Sequence, residues 1–148
     1  MLPPAAAEPA AAPEPASAEP SARVWRILIV EDDARAADVI RESLELEAQM
    51  QWQIQIARSG EEALAMLATQ PVDLLLLDVR LPGISGAEVY RRLRAAPETR
   101  SLPIIFLSGG TTFDLFREGI QEGILLRKPF NIPELLAMVR ANLPAQRT

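Results

Sequence analysis

Four leucines in a row, Leu74-Leu75-Leu76-Leu77, run straight into the carboxylate of Asp78, and a Pro82-Gly83 turn follows. A short apolar run bounded by turn residues has no polar face to offer water. It reads as a strand buried on both sides, the habit of central strands in parallel sheets. Such a strand needs a layer above it and a layer below it. Asp78 then stands where the strand meets solvent. On this reading Asp78 is the reacting group, and the other strands bring it helpers.

Four further strands are legible. Arg26-Ile27-Leu28-Ile29-Val30 and Pro103-Ile104-Ile105-Phe106-Leu107 are buried runs, and Ile124-Leu125-Leu126 is a brief one. Gln51-Trp52-Gln53-Ile54-Gln55-Ile56 alternates polar and apolar residues, which predicts a strand with one wet side at a sheet edge. Helical segments fall between them. The first follows Asp33 and runs to about Ala48, with Ala37, Ile40 and Leu44 at helical spacing. Ser59-x-x-Glu62 and Ser85-x-x-Glu88 have the form of capping boxes, and Asn131-x-x-Glu134 caps the last helix. A short helix is predicted around Thr112–Glu118.

Five βα units without an internal repeat imply an α/β fold, a doubly wound parallel sheet in one domain. A flavodoxin-like (βα)5 order, 2-1-3-4-5, puts the Gln/Ile strand at an edge. Ligands in such sheets bind beyond the carboxyl ends of the strands. Glu31 and Asp32 follow the first strand, Asp78 ends the third, Ser108 ends the fourth and Lys128 ends the fifth. That order makes all of them converge.

The chain has neither Cys nor His, which removes disulfides, thiol chemistry, His-based triads and the usual zinc sites. Any metal would be hard and held by oxygen. Glu31, Asp32 and Asp78 together carry three negative charges and repel one another. Lys128 and one divalent cation would balance them, and the donor set suits Mg2+. An ionised Asp flanked by Mg2+ and a lysine can attack phosphorus and form an aspartyl phosphate. Mg2+, Lys128, the Ser108 hydroxyl and backbone N–H groups would hold the phosphoryl oxygens.

Residues 1–22 stand apart. Fifteen of the 22 are Ala or Pro, too poor in large side chains for a core, so a disordered tail is expected before a domain over 23–148. The net charge is −5, and Glu8, Glu14 and Glu19 of the tail account for three of it, leaving −2. Nothing in this balance favours nucleic acid or an anionic membrane. No apolar run approaches the roughly 20 residues that cross a bilayer, and the N-terminus lacks a basic start. A cytoplasmic protein is the expectation.

From about Val24 to Leu143 the chain resembles the receiver domains of two-component response regulators. The resemblance is carried by Ile27-Leu28-Ile29-Val30-Glu31-Asp32-Asp33, by Asp73 through Gly86, by Ser108, and by Lys128-Pro129-Phe130. It implies Asp78 as phosphoacceptor, with Glu31, Asp32, Asp78 and the Arg80 backbone carbonyl as Mg2+ ligands. It further implies Ser108 as switch hydroxyl, Lys128 as phosphate-binding cation and a cis Lys128-Pro129 bond. The implied donor is a sensor histidine kinase or phosphotransfer protein. The domain would be no enzyme beyond its own phosphotransfer and dephosphorylation.

One position departs from the family. Three residues before Lys128, where receivers usually carry Tyr or Phe, stands Leu125. Leucine has no flat ring to insert, so the switch pair Ser108 and Leu125 differs from the family's. The chain ends five residues after Leu143, which predicts a stand-alone receiver. Its output would be contact with a downstream protein, through the face of the last two strands and helices. That face is also the candidate for a homodimer. Two other readings compete. A pseudo-receiver would dock or dimerise without phosphate. An aspartate-nucleophile phosphatase would need a general acid two residues after Asp78, where Arg80 stands and cannot serve. No Gly-x-Gly-x-x-Gly follows the first strand, which disfavours a dinucleotide-binding protein.

Overall fold

The computed structural model describes residues 23–121 and 123–144. The expected tail over 1–22 lies outside the described residues. Ten elements alternate: β1 (Val24–Val30), α1 (Ala34–Glu45), β2 (Gln51–Ala57), α2 (Gly60–Thr69) and β3 (Leu74–Asp78), then α3 (Gly86–Ala95), β4 (Ile104–Ser108), α4 (Thr112–Arg117), β5 (Ile124–Arg127) and α5 (Ile132–Asn142). The five strands form one parallel sheet in the order β2-β1-β3-β4-β5. This is the flavodoxin-like fold expected from the sequence, with the Gln/Ile strand at an edge.

The leucine run lies at the centre. All five residues of β3 are buried. Leu75 and Leu77 face a core closed by Ala63, Val89, Leu93 and Leu115, so α2, α3 and α4 cover that side. Leu74 and Leu76 face a second core with Ala37, Ile40, Leu44, Leu135 and Val139, so α1 and α5 cover the other. Alternate side chains of one strand thus feed two cores, which is why the run cannot afford a polar residue until its tip. Leu76→Ala is expected to cost about 2–5 kcal/mol, read as a lowered urea midpoint at unchanged slope.

The start of β3 is tied to β1 through Asp73. Its carboxylate accepts the Arg26 backbone N–H at 2.8 Å and pairs with the Arg23 guanidinium at 3.1 Å. This lock helps explain why β1 begins at Val24, two residues ahead of the expected start. Trp25 is buried there, beside Trp52 of β2, with the Arg23 guanidinium 4.2 Å from its ring centroid. Polar Arg23 and Arg26 hide that extension from a hydrophobicity pattern. Helix α1 stops at Glu45, short of Ala48; the Leu46 N–H still reaches the Glu42 carbonyl at 3.1 Å, and the Glu47 N–H turns tighter, onto the Leu44 carbonyl at 3.0 Å.

Helix caps follow the sequence in part. Ser59, Ser85 and Asn131 each accept the N–H three residues on, from Glu62, Glu88 and Glu134. The reciprocal half of the box is displaced in the first two. Glu62 takes the N–H of Arg58, and Glu88 pairs with Arg91 and Arg92. A complete capping box closes elsewhere, at Thr111 and Asp114 of α4. The Thr-x-x-Asp spacing was its signal.

Candidate functional site

Strand order brings three carboxylates to one end of the sheet. Glu31 follows β1 directly, and Asp78 is the last residue of its neighbour β3. One oxygen from each of Glu31, Asp32 and Asp78 lies within 4.8 Å of the others. Glu31 and Asp78 are buried, at 2% and 5% exposure, while Asp32 is exposed. Asp33, one step on, points elsewhere. Its carboxylate accepts the N–H groups of Arg35 and Ala36 and caps α1.

Lys128 reaches in from the end of β5. Its Nζ lies 3.1 Å from Glu31 Oε1 and 3.1 Å from Asp78 Oδ2. Its backbone N–H donates to the Ser108 carbonyl at 2.8 Å, which fixes the ammonium's point of departure. The Lys128-Pro129 bond is cis. The other Asp78 oxygen, Oδ1, accepts the Arg80 backbone N–H at 2.9 Å. Gly86 of α3 packs under this tip. A Cβ there would lie 2.5 Å from the Asp78 carbonyl oxygen, so only glycine lets α3 start so near.

The charges behave as this crowding demands. Burial, and then the Asp78 carboxylate, raise the Glu31 pKa above the usual carboxylate value, while Lys128 pulls it partly back. Burial alone would lower Lys128, yet Glu31 and Asp78 together hold it above its ordinary value. Lys128 is therefore a permanent cation at neutral pH. Three acids facing one lysine leave negative charge over. An oxygen-only donor set with one solvent-facing member fits a hard divalent cation that keeps part of its water.

Comparison with known proteins decides the family. A family model described as the response regulator receiver domain matches residues 27–140. The chain belongs to the response regulator receiver domain family. It is 39% identical over 120 residues to the phosphate regulon transcriptional regulatory protein PhoB of Rhizobium meliloti, a match covering 80% of this chain and 52% of that one. The chain thus spans about half the length of the curated relatives it matches. Chemotaxis response regulator CheY4 of Vibrio cholerae superposes with a TM-score of 0.72 at 26% identity, covering 82% of this chain and all of that one. TrrA of Thermotoga maritima, solved in complex with Mg2+ and BeF, superposes with a TM-score of 0.70 at 31% identity, over 80% of this chain and 99% of that one.

Membership brings coarse properties with it. Receivers are signalling domains that work with histidine kinases or phosphotransfer proteins, and the family binds Mg2+ in an acidic pocket. One expectation loses its footing here. A transcriptional regulator among the relatives means that the low charge of this receiver is no argument against a regulator that binds DNA. Among the described residues, no helix is long and apolar enough to cross a membrane.

Ser108 and Leu125 lie on neighbouring strands, with Ser108 in register with Arg127 and Leu125 with Phe106. Ser108 is buried at the end of β4, and its hydroxyl accepts the Gly110 N–H at 2.9 Å. Leu125 sits on β5 opposite Phe106, half-buried against the core shared by α2, α3 and α4. The loop after Ser108 is organised by Thr111 and Asp114, two residues absent from the expected site. The Asp114 carboxylate accepts the Thr111 N–H at 2.8 Å and the Thr111 hydroxyl at 3.0 Å. These bonds hold the Asp114 carboxyl below its usual range.

Proposed function

We propose that this receiver accepts a phosphoryl group on Asp78 from a phosphohistidine and signals by protein contact. The observation that carries the reading is the placement of Lys128 Nζ between Glu31 and Asp78 at the mouth of an acid triad. A carboxylate oxygen of Asp78 forms the bond to phosphorus as the P–N bond breaks. The imidazole nitrogen of the donor leaves with the electron pair. Lys128 stays protonated throughout and turns from Asp78 toward the oxygens of the arriving group. Glu31, Asp32, Asp78 and the Arg80 carbonyl would hold Mg2+, which would supply positive charge against the charge of the phosphoryl group. No proton need be delivered by this chain, so the lack of His is no handicap.

Ser108 accepts the Gly110 N–H on an oxygen lone pair, so its O–H can donate to the phosphoryl group while the loop stays attached. This ties the state of Asp78 to the loop that begins α4. Leu125 follows by repacking against Phe106, without a ring to flip. The face beyond carries exposed Phe113, Phe116, Ile124 and Ile132, apolar side chains suited to a downstream protein or to a second receiver. This exchange takes place in the cytoplasm on the present reading.

The test is direct. The protein is incubated with Mg2+ and a small phosphodonor, then weighed intact. One added phosphoryl group, stable in acid and lost in base, is expected, and chelation of Mg2+ should reduce it by at least about ten-fold. Absence of the adduct would leave the docking module without phosphate, the reading that Leu125 favours.

A further inference from the structure

We infer that Glu61 is a positioning residue, holding the β3–α3 loop in the shape that brings Arg80 to the metal. The inference rests on the phosphoacceptor reading and extends it to a residue outside the acid triad. Glu61 lies in the first turn of α2, and its Oε2 accepts the Ile84 backbone N–H at 3.2 Å. A Cβ added to Gly83 would lie 2.6 Å from the same oxygen. Gly83 has φ +75, the left-handed turn that swings the Ile84 N–H toward α2.

The contact is well placed for this role. Upstream, the loop is held by the Arg80 N–H on Asp78. Downstream, it is held by the Gly86 N–H on the Val79 carbonyl, at 3.0 Å. Between those ends, the Ile84 bond to Glu61 is the one hydrogen bond, among the described residues, that ties residues 81–84 to another element. Apolar packing backs it. A Cβ on Gly60 would lie 2.7 Å from Ile84 Cγ1 and 2.6 Å from Val89 Cγ2, so Ile84 rests directly on the bare start of α2.

A carboxylate in the first turn also stabilises a helix, whatever it touches. The two roles separate by measurement. Mg2+ affinity is read by titration calorimetry on wild type, Glu61→Ala, Glu61→Gln and Gly83→Ala, each with a urea midpoint. Glu61→Ala should weaken Mg2+ binding about five-fold, the worth of one hydrogen bond to a charged acceptor partly open to water. Glu61→Gln keeps an acceptor oxygen and should stay within about two-fold of wild type. Gly83→Ala pushes the same carboxylate aside and should weaken Mg2+ as Glu61→Ala does, which keeps the inference testable should that variant not fold. Wild-type Mg2+ affinity in Glu61→Ala or Gly83→Ala overturns the inference alone. So does Glu61→Gln binding as poorly as Glu61→Ala, which would assign the effect to charge. No Mg2+ uptake by wild type overturns the phosphoacceptor reading and this inference with it.

Discussion

Asp78→Asn is expected to give no acid-stable, base-labile adduct under conditions that fully modify the wild type. The amide is nearly the size of the carboxylate, so the strand and both cores keep their shape. Its oxygen still accepts the Arg80 N–H that Asp78 Oδ1 takes at 2.9 Å. What it lacks is the negative charge and the nucleophilic oxygen pair. Lys128 would keep Glu31 as partner, at 3.1 Å. The comparison of stabilities matters as much as the loss of the adduct. A folded Asp78→Asn that still gains a phosphoryl group, at Asp32 or another acid, would remove Asp78 from its role.

The second large effect is expected at Lys128. Lys128→Ala should slow phosphorylation from a small donor by about 10²–10³-fold, the usual loss when one preorganised charge aimed at a transition state is removed. The ammonium now sits between two buried carboxylates, at 3.1 Å from each. Without it Glu31 and Asp78 face each other uncompensated, and the Glu31 pKa, already raised, moves further up. Lys128→Arg keeps the charge but brings a planar fork where a compact ammonium fits, so rescue should be partial. Phosphorylation of Lys128→Ala at the wild-type rate would show that the lysine is a structural counter-ion only.

Much of this architecture is legible in the sequence, and the reason is physical. Buried strands write themselves as apolar runs and the edge strand β2 as an alternation, which agrees with the flavodoxin-like order but leaves β5, an apolar run at the other edge, unmarked. Once the order is set, Glu31, Asp78, Ser108 and Lys128 must share one end of the sheet. The misses are contacts that pattern does not encode. Trp25 joins β1 because Asp73, 47 residues from Arg26, accepts the Arg26 N–H. Glu62 and Glu88 leave their expected boxes for other partners, the Arg58 N–H and the Arg91–Arg92 pair. Glu61 reads as an ordinary first-turn acid until the fold sets Ile84 beside it. Thr111 and Asp114 did carry a local signal, the spacing of a cap, beside the more conspicuous Ser108-Gly109-Gly110.

Helix α4 has a consequence for how the domain comes apart. It is six residues long and buries one side chain, Leu115, while Phe113 and Phe116 are 65% and 61% exposed. Six residues cannot sustain a helix in water by themselves. Its anchorage is therefore one leucine, worth about 1.5–3 kcal/mol, and one cap, worth about 1 kcal/mol. The core under α1 and α5 has no part of α4, and Leu115 is that helix's one buried contribution to the core that α2 and α3 also cover. Helix α4 is thus a separate opening unit, whose amides exchange with solvent far sooner than those of β3. A partner that covers the two phenylalanines can reshape it at the cost of one buried leucine and one cap.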